Sequence, residues 1–183
     1  MLDLLDLHKN FILKHLGEGD TAVDFTMGNG HDTEFLSKTV GESGHVFAFD
    51  VQEQALASTS ENLQKAGCPD NYTLILDSHH NVKKYVDVPI KAGMFNLGYL
   101  PGGDKSITTL HETSLAAISA AIDILDDDGG LLIAVYPGHE EGSVEGRLIT
   151  EMLSKLDRKK ICVSKLEIIN SPTSPFFFLV EKR

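Results

Sequence analysis

The chain has 183 residues, enough for one domain with a full hydrophobic core, and its 42% hydrophobic and 23% charged residues are ordinary for a soluble globular protein. A formal net charge of −11 argues against broad, non-specific binding to nucleic acid, which needs a basic face. No apolar run approaches the roughly 20 residues that span a bilayer, Asp3 and Asp6 stand where a secretory signal carries bases, and Cys68 and Cys162 have neither disulfide nor metal spacing, so the expected compartment is a reducing cytoplasm.

Leu2, Leu4, Leu5, Phe11, Ile12 and Leu16 recur at roughly helical spacing and predict an opening amphipathic helix that stops at Gly17-Glu18-Gly19-Asp20. Strand and helix then alternate. Strands are expected at 21–26, 46–49 (with His45 leading in) and 72–76, with helices at 31–40 and 53–66 between them. After an irregular polar stretch come a strand at 92–97 and a long helix at 106–125. The run Asp126-Asp127-Asp128-Gly129-Gly130 reads as a solvated turn, acids being electrostatically misplaced at a helix C-terminus. A strand at 131–136 and a helix at 143–156 follow. The last strands, 161–169 and 176–181, are joined by Asn-Ser-Pro-Thr-Ser-Pro, too short for a crossover helix, and so form an antiparallel hairpin. Such a series of βα units describes an α/β, doubly wound, mostly parallel sheet with one antiparallel strand, and residues 1–183 form a single domain.

The first strand runs into Met27-Gly28-Asn29-Gly30-His31-Asp32-Thr33, a Gly-x-Gly turn that opens a helix, and the next strand ends on Asp50. This pairing lets backbone approach a nucleoside-bearing cofactor and offers a carboxylate to its ribose hydroxyls. The third glycine of the dinucleotide fingerprint is absent, and Asp32 in the first helical turn would repel a pyrophosphate that needs the same place. A cationic sulfonium without phosphate tolerates these acids, which favours S-adenosylmethionine; Asp32 is equally readable as favourable helix capping. In open α/β sheets the ligand lies beyond the carboxyl ends of the strands. Those ends carry Asp24 and Asn29, Asp50, Asp77-Ser78-His79-His80, Asn96 to Tyr99, and Tyr136 to His139. The expected cofactor contacts are Asp24, Met27, Gly28, Asn29, Gly30, Asp32, Thr33, Asp50, Gln52, Asp77, Ser78, His79 and Asn96, with Asp77 or Ser78 meeting the adenine edge.

After the fourth strand, Asn96-Leu97-Gly98-Tyr99 has the Asn-x-x-Tyr spacing of amino-directed methyltransferases. An amine nucleophile needs its hydrogens accepted by oxygens and its lone pair aimed at the methyl carbon, while an aromatic ring stacks on the base. Asn96, the Leu97 carbonyl and Tyr99 suit those tasks. The bland reading makes the glycines and Pro101 loop punctuation and Tyr99 a core ring.

Taken together, Val-Asp-Phe-Thr-Met-Gly-Asn-Gly-His-Asp-Thr (23–33), Asp-Ser-His (77–79), Phe-Asn-Leu-Gly-Tyr-Leu-Pro-Gly-Gly-Asp-Lys (95–105) and Tyr-Pro-Gly-His-Glu-Glu-Gly (136–142) resemble the bacterial YtqB/MnmM family, a set of class I methyltransferases labelled as rRNA methylases. The likeness covers nearly the whole chain. It implies a Rossmann-like fold with seven strands, S-adenosylmethionine as donor, and as acceptor the amine of 5-aminomethyl-2-thiouridine at the tRNA wobble position, within the anticodon stem-loop. By the same resemblance Asn29, Asp50, Ser78 and His79 line the cofactor, and Asn96, Tyr99, Gly103, Lys105 and His139 face the substrate. Thr26 departs from the wider class, where a glycine is usual.

The alternatives are an amino methyltransferase acting on rRNA or on a small-molecule amine. Water, His79, His139 and Asp104 are all open as takers of the amine's proton. His79-His80, His111 and His139 match no strong zinc spacing, so no metal is expected. Lys155, Arg158, Lys159, Lys160 and Lys165 read either as a solvated run or as a modest RNA-contact patch. A homodimer would extend this limited basic surface.

Overall fold

The computed structural model describes residues 4–98, 109–138, 140–171 and 173–183. Seven strands form one sheet in the order β3-β2-β1-β4-β5-β7-β6. They are β1 (Thr21–Asp24), β2 (His45–Asp50), β3 (Tyr72–Leu76), β4 (Ile90–Leu97), β5 (Leu125–Val135), β6 (Ile161–Leu166) and β7 (Phe176–Lys182). β1 to β5 are mutually parallel; β7 runs antiparallel to both β5 and β6, which is the expected C-terminal hairpin.

Among the described residues five α-helices cover the two faces: α1 (Leu4–Ile12), α2 (His31–Val40), α3 (Glu53–Lys65), α4 (His111–Ile124) and α5 (Glu140–Ser154). Successive strand side chains alternate between faces, and the buried residues sort accordingly. Ala22, Val46, Met94, Leu132 and Ala134 pack with Phe11, Ile12, Leu36 and Val40 of the α1–α2 side. Val23, Phe95, Leu131 and Ile133 pack with Ala117, Ile118, Ile149 and Leu153 of the α4–α5 side. Phe25, just past β1, stacks on Phe95 with ring centroids 4.0 Å apart, which locks the end of β1 against β4. Among the described residues no helix is long and apolar enough to cross a membrane.

Several boundaries differ from expectation. β5 begins at Leu125 and includes the acidic run. Its register on β4 jumps from Ile90↔Leu125 to Ala92↔Gly130, so residues 126–129 bulge outward opposite Lys91. Lys91 bonds the Asp126 carboxylate at 3.0 Å and the Asp127 carbonyl at 2.6 Å, so the acids meet a cation from the neighbouring strand. α4 starts at His111, because Thr109 gives its N–H to the Gly98 carbonyl and Leu110 is extended. α5 starts three residues early, at Glu140, and β6 ends at Leu166 rather than 169. Between β3 and β4 the polar stretch forms a 3-10 helix, His79–Lys84.

Candidate active site at the strand tips

The carboxyl ends of β1, β2 and β4 converge with the turn that opens α2. Met27 gives its N–H to the Phe49 carbonyl (2.9 Å) and Gly30 gives its own to Met27 (2.7 Å), folding the turn back over the tip of β2. Gly28 and Gly30 have φ of +52° and +83°, a region that glycine enters without steric cost. A methyl group on Gly30 would lie 2.9 Å from the Thr59 side chain and 3.0 Å from its Cα, so α3 is packed directly beneath the turn. Thr59 also donates its hydroxyl to the Gly28 carbonyl at 3.1 Å. Backbone therefore forms the floor, as a cradle for a ligand requires.

Asp50 closes this cradle. One carboxylate oxygen accepts the Gly28 N–H at 3.1 Å and the other the Gln52 N–H at 3.0 Å. A carboxylate has about four lone-pair sites, so acceptor capacity remains for two hydroxyl donors such as a ribose diol. Burial pushes its pKa up, and the backbone N–H bonds partly oppose that. The residues present thus fit an adenosyl cofactor, with the Gln52 N–H fixing the orientation of the Asp50 carboxylate.

Asp24 and Thr33 lie deeper. Both are fully buried; Asp24 accepts the Thr33 hydroxyl at 2.6 Å and the Thr26 N–H at 3.1 Å. Burial first, then the charge of Asp32, push the Asp24 carboxyl up to about 7 from an ordinary 3.8. The folded protein therefore takes up a proton that the unfolded chain lacks between those values. The stabilisation tied to this proton is complete below pH 3.8 and is lost as pH rises through about 7. Asp24→Asn keeps one acceptor for Thr26 and offers a donor to the Thr33 hydroxyl. Urea unfolding should show it more stable than the parent by on the order of 4 kcal/mol at pH 8, with the gain nearly absent at pH 4.

At the tip of β4, Asn96 gives its backbone N–H to the Thr26 hydroxyl at 2.7 Å, a bond that a glycine at position 26 could not accept. Its side-chain Nδ2 donates to Asp32 at 2.5 Å, and its Oδ1 accepts the Tyr136 hydroxyl at 3.4 Å. Asp32 is thus not a cap of α2; Gly30 occupies that position, with no side-chain cap hydrogen bond. Tyr136 is 39% exposed and packs beside Gly98; burial of its hydroxyl end and then the Asp32 charge raise its pKa.

The tip of β3 is arranged differently. The Asp77 carboxylate accepts from Asn81 (2.9 Å), Tyr85 (2.9 Å) and the Ser78 N–H (2.7 Å), and the first two hold its pKa below the usual range. His79 is buried and donates Nδ1–H to the Phe25 carbonyl at 3.0 Å. Burial depresses it to about 4, so near neutrality it is an uncharged ring and too weak a base to hold a proton taken from an alkylammonium. The Ser78 hydroxyl faces His80.

Tyr99, Gly103, Asp104, Lys105 and His139 lie outside the described residues. Around Thr109, between α4 and α5, is a polar cluster whose Thr109, Ser114 and Glu145 the sequence reading did not single out. Glu145 of α5 is 1% exposed, accepts from Ser114 at 2.5 Å and from Thr109 at 3.3 Å, and is raised in pKa by burial. His111 pairs with Glu141 at 2.7 Å, which raises the imidazole's pKa. Tyr136 as a partner of Asn96 was also missed. Its only sequence signal is a polar ring one residue past a buried strand. Lys155, Arg158, Lys159 and Lys160 precede Ile161, which pairs with Lys182 at the end of the sheet remote from the tips. That basic run therefore faces away from the cradle.

This sheet order, a glycine turn closed by the β2 aspartate and a polar amide at the β4 tip define a class I, S-adenosylmethionine-dependent methyltransferase. Comparison with known proteins agrees with that class and refines it. The chain belongs to the family described as "Putative rRNA methylase", whose model matches residues 46–182. A chloroplast tRNA (mnm5s2U34)-methyltransferase of Arabidopsis thaliana is 38% identical over 176 residues, 91% of this chain; the chain spans 64% of that protein's length. The crystal structure of a "putative rRNA-methylase" from Clostridium thermocellum superposes with a TM-score of 0.97 at 42% identity, over 100% of this chain and 99% of the other. A "putative methyltransferase" from Streptococcus mutans, solved with S-adenosylhomocysteine, gives a TM-score of 0.91 at 37% identity, over 100% and 99% of the two chains.

Proposed function

We propose that this protein methylates the exocyclic amine of 5-aminomethyl-2-thiouridine at the wobble position of tRNA, with Asn96 and Tyr99 at the nucleophile and the anticodon stem-loop as the RNA element recognised. The observation that carries the reading is the Asn96 side chain at the tip of β4, beside a cradle suited to an adenosyl cofactor. The relative from Arabidopsis thaliana, named for the corresponding tRNA reaction, supports the same acceptor.

The cofactor supplies an electrophilic methyl on a sulfonium, whose departure as a thioether makes alignment the main requirement. Asp50 and the Gly28–Gly30 backbone hold the adenosyl end. The Asn96 Oδ1 accepts a hydrogen of the neutral amine, so that the nitrogen lone pair points to the methyl carbon. The new C–N bond forms as the C–S bond breaks, and the nitrogen then gives up a proton. The nucleophile is the neutral amine, so any desolvation of the bound amine would favour the reaction by lowering its pKa. Lys105 is suited to an RNA phosphate, and His139 to the acceptor side of the cleft.

Incubating the protein with labelled S-adenosylmethionine and tRNA bearing the aminomethyl group, followed by nucleoside mass analysis, tests the reading. It predicts conversion of 5-aminomethyl-2-thiouridine to its methylaminomethyl form, with rRNA in a parallel reaction unlabelled. Label in rRNA alone, or in neither RNA, would overturn it.

A further inference from the structure

We propose that Asp32 and Tyr136 are positioning residues that fix the Asn96 amide in one of its two flip states, turning its carbonyl oxygen toward the nucleophile. This inference rests on the amine-methylation reading above and adds to it the reason Asn96 presents the correct end.

A side-chain amide has a donor end and an acceptor end of nearly the same shape. Facing an amine, the oxygen accepts an N–H and leaves the lone pair free. The NH2 end would instead donate into that lone pair and quench the nucleophile. The amide must therefore be held against rotation. An ionised carboxylate only accepts, so Asp32, at 2.5 Å, draws the NH2 end to itself. The Tyr136 hydroxyl approaches the other end, 3.4 Å from Oδ1, and donates to it. One lone pair of Oδ1 is then occupied and one is left for the acceptor. The backbone of Asn96 is fixed independently by Thr26 (2.7 Å) and by its register with Ala134 on β5, so only the side-chain torsion remains to be set.

Three elements contribute: Asp32 from α2, Asn96 from β4 and Tyr136 from the end of β5. The groups facing Asp32 are the Asn96 amide, which bonds it, and Asp24 and Tyr136, on whose pKa values its charge acts.

A swap of the pair separates this role from others. Asn96→Asp alone sets two carboxylates against each other. Adding Asp32→Asn restores one donor–acceptor contact, with an acceptor oxygen still facing the amine. Kinetics are measured with tRNA carrying the aminomethyl group, and S-adenosylhomocysteine affinity by calorimetry on the same preparations. Asp32→Asn should lower kcat by about 10- to 30-fold, the scale of a lost hydrogen bond to a charged group, while cofactor affinity stays within about twofold. Asn96→Asp should lose at least about 100-fold, and the double variant should regain at least about tenfold over it. Tyr136→Phe should lower kcat by about three- to fivefold and serves as the independent reading if the Asp32 variants unfold.

Unchanged kcat in Asp32→Asn with weakened S-adenosylhomocysteine binding would overturn the inference and make Asp32 a cofactor ligand. A double variant no better than Asn96→Asp would overturn it as well, and so would full activity in Tyr136→Phe should the Asp32 variants not fold. A parent protein inactive on the amine-bearing tRNA would instead defeat the functional reading itself.

Discussion

Asn96→Ala is expected to reduce turnover by about 100- to 1,000-fold while changing S-adenosylhomocysteine affinity by less than about threefold. The substitution leaves the backbone bond to Thr26 and the β4–β5 register in place, because both involve main-chain atoms. What it removes is the oxygen that orients the amine. Without that acceptor the nitrogen samples orientations in which a hydrogen, not the lone pair, faces the methyl carbon. The loss therefore falls on the chemical step. Single-turnover rates at saturating tRNA and cofactor, with calorimetric binding of the product cofactor, separate the two quantities. Equal loss of turnover and affinity would make Asn96 a brace of the cleft.

Asp50→Ala should have the opposite signature, weakening S-adenosylhomocysteine by about 100-fold or more. Two interactions disappear together. The glycine turn loses its latch, since Gly28 and Gln52 both donate to this carboxylate, and the ribose diol loses an acceptor for both hydroxyls. Asp50→Asn should fall between the parent and the alanine variant, because an amide offers one acceptor where the carboxylate offers two. Burial raises the pKa of Asp50, so binding should begin to weaken on acidification at a pH above the usual carboxylate range. Titration calorimetry across pH checks both statements.

The parts of this site that were legible in the sequence are those written in local backbone chemistry. Gly28 and Gly30 announce left-handed φ values, the apolar runs announce strands, and Asp50 stands at the end of the second strand, 20 residues past Gly30. What was hidden depends on partners far along the chain. Asp32 reads locally as a favourable charge in the first turn of a helix; its actual partner is 64 residues away. Three consecutive acids ahead of Gly129-Gly130 read as a solvated turn, because acids are misplaced at a helix C-terminus. Lys91, on the adjacent strand, makes their bulge tolerable inside β5. Thr26 looked like a departure from a glycine motif, and its hydroxyl proves to tie β1 to β4. Asp77 was readable as a polar residue at a strand end, but its bonds to Asn81 and Tyr85 across the 3-10 helix were not. The basic run at 155–160 could be read for charge but not for place, because only the pairing of β6 with β7 fixes which end of the sheet it occupies.

A crystal structure with S-adenosylhomocysteine bound is the most direct measurement of the central claim. The account predicts the ribose hydroxyls on Asp50, the adenosyl group on the Gly28–Gly30 backbone, and the sulfur turned toward the Asn96 oxygen with room between them for a methyl group and a nitrogen. A ligand seated elsewhere, or a sulfur facing away from the tip of β4, would contradict it.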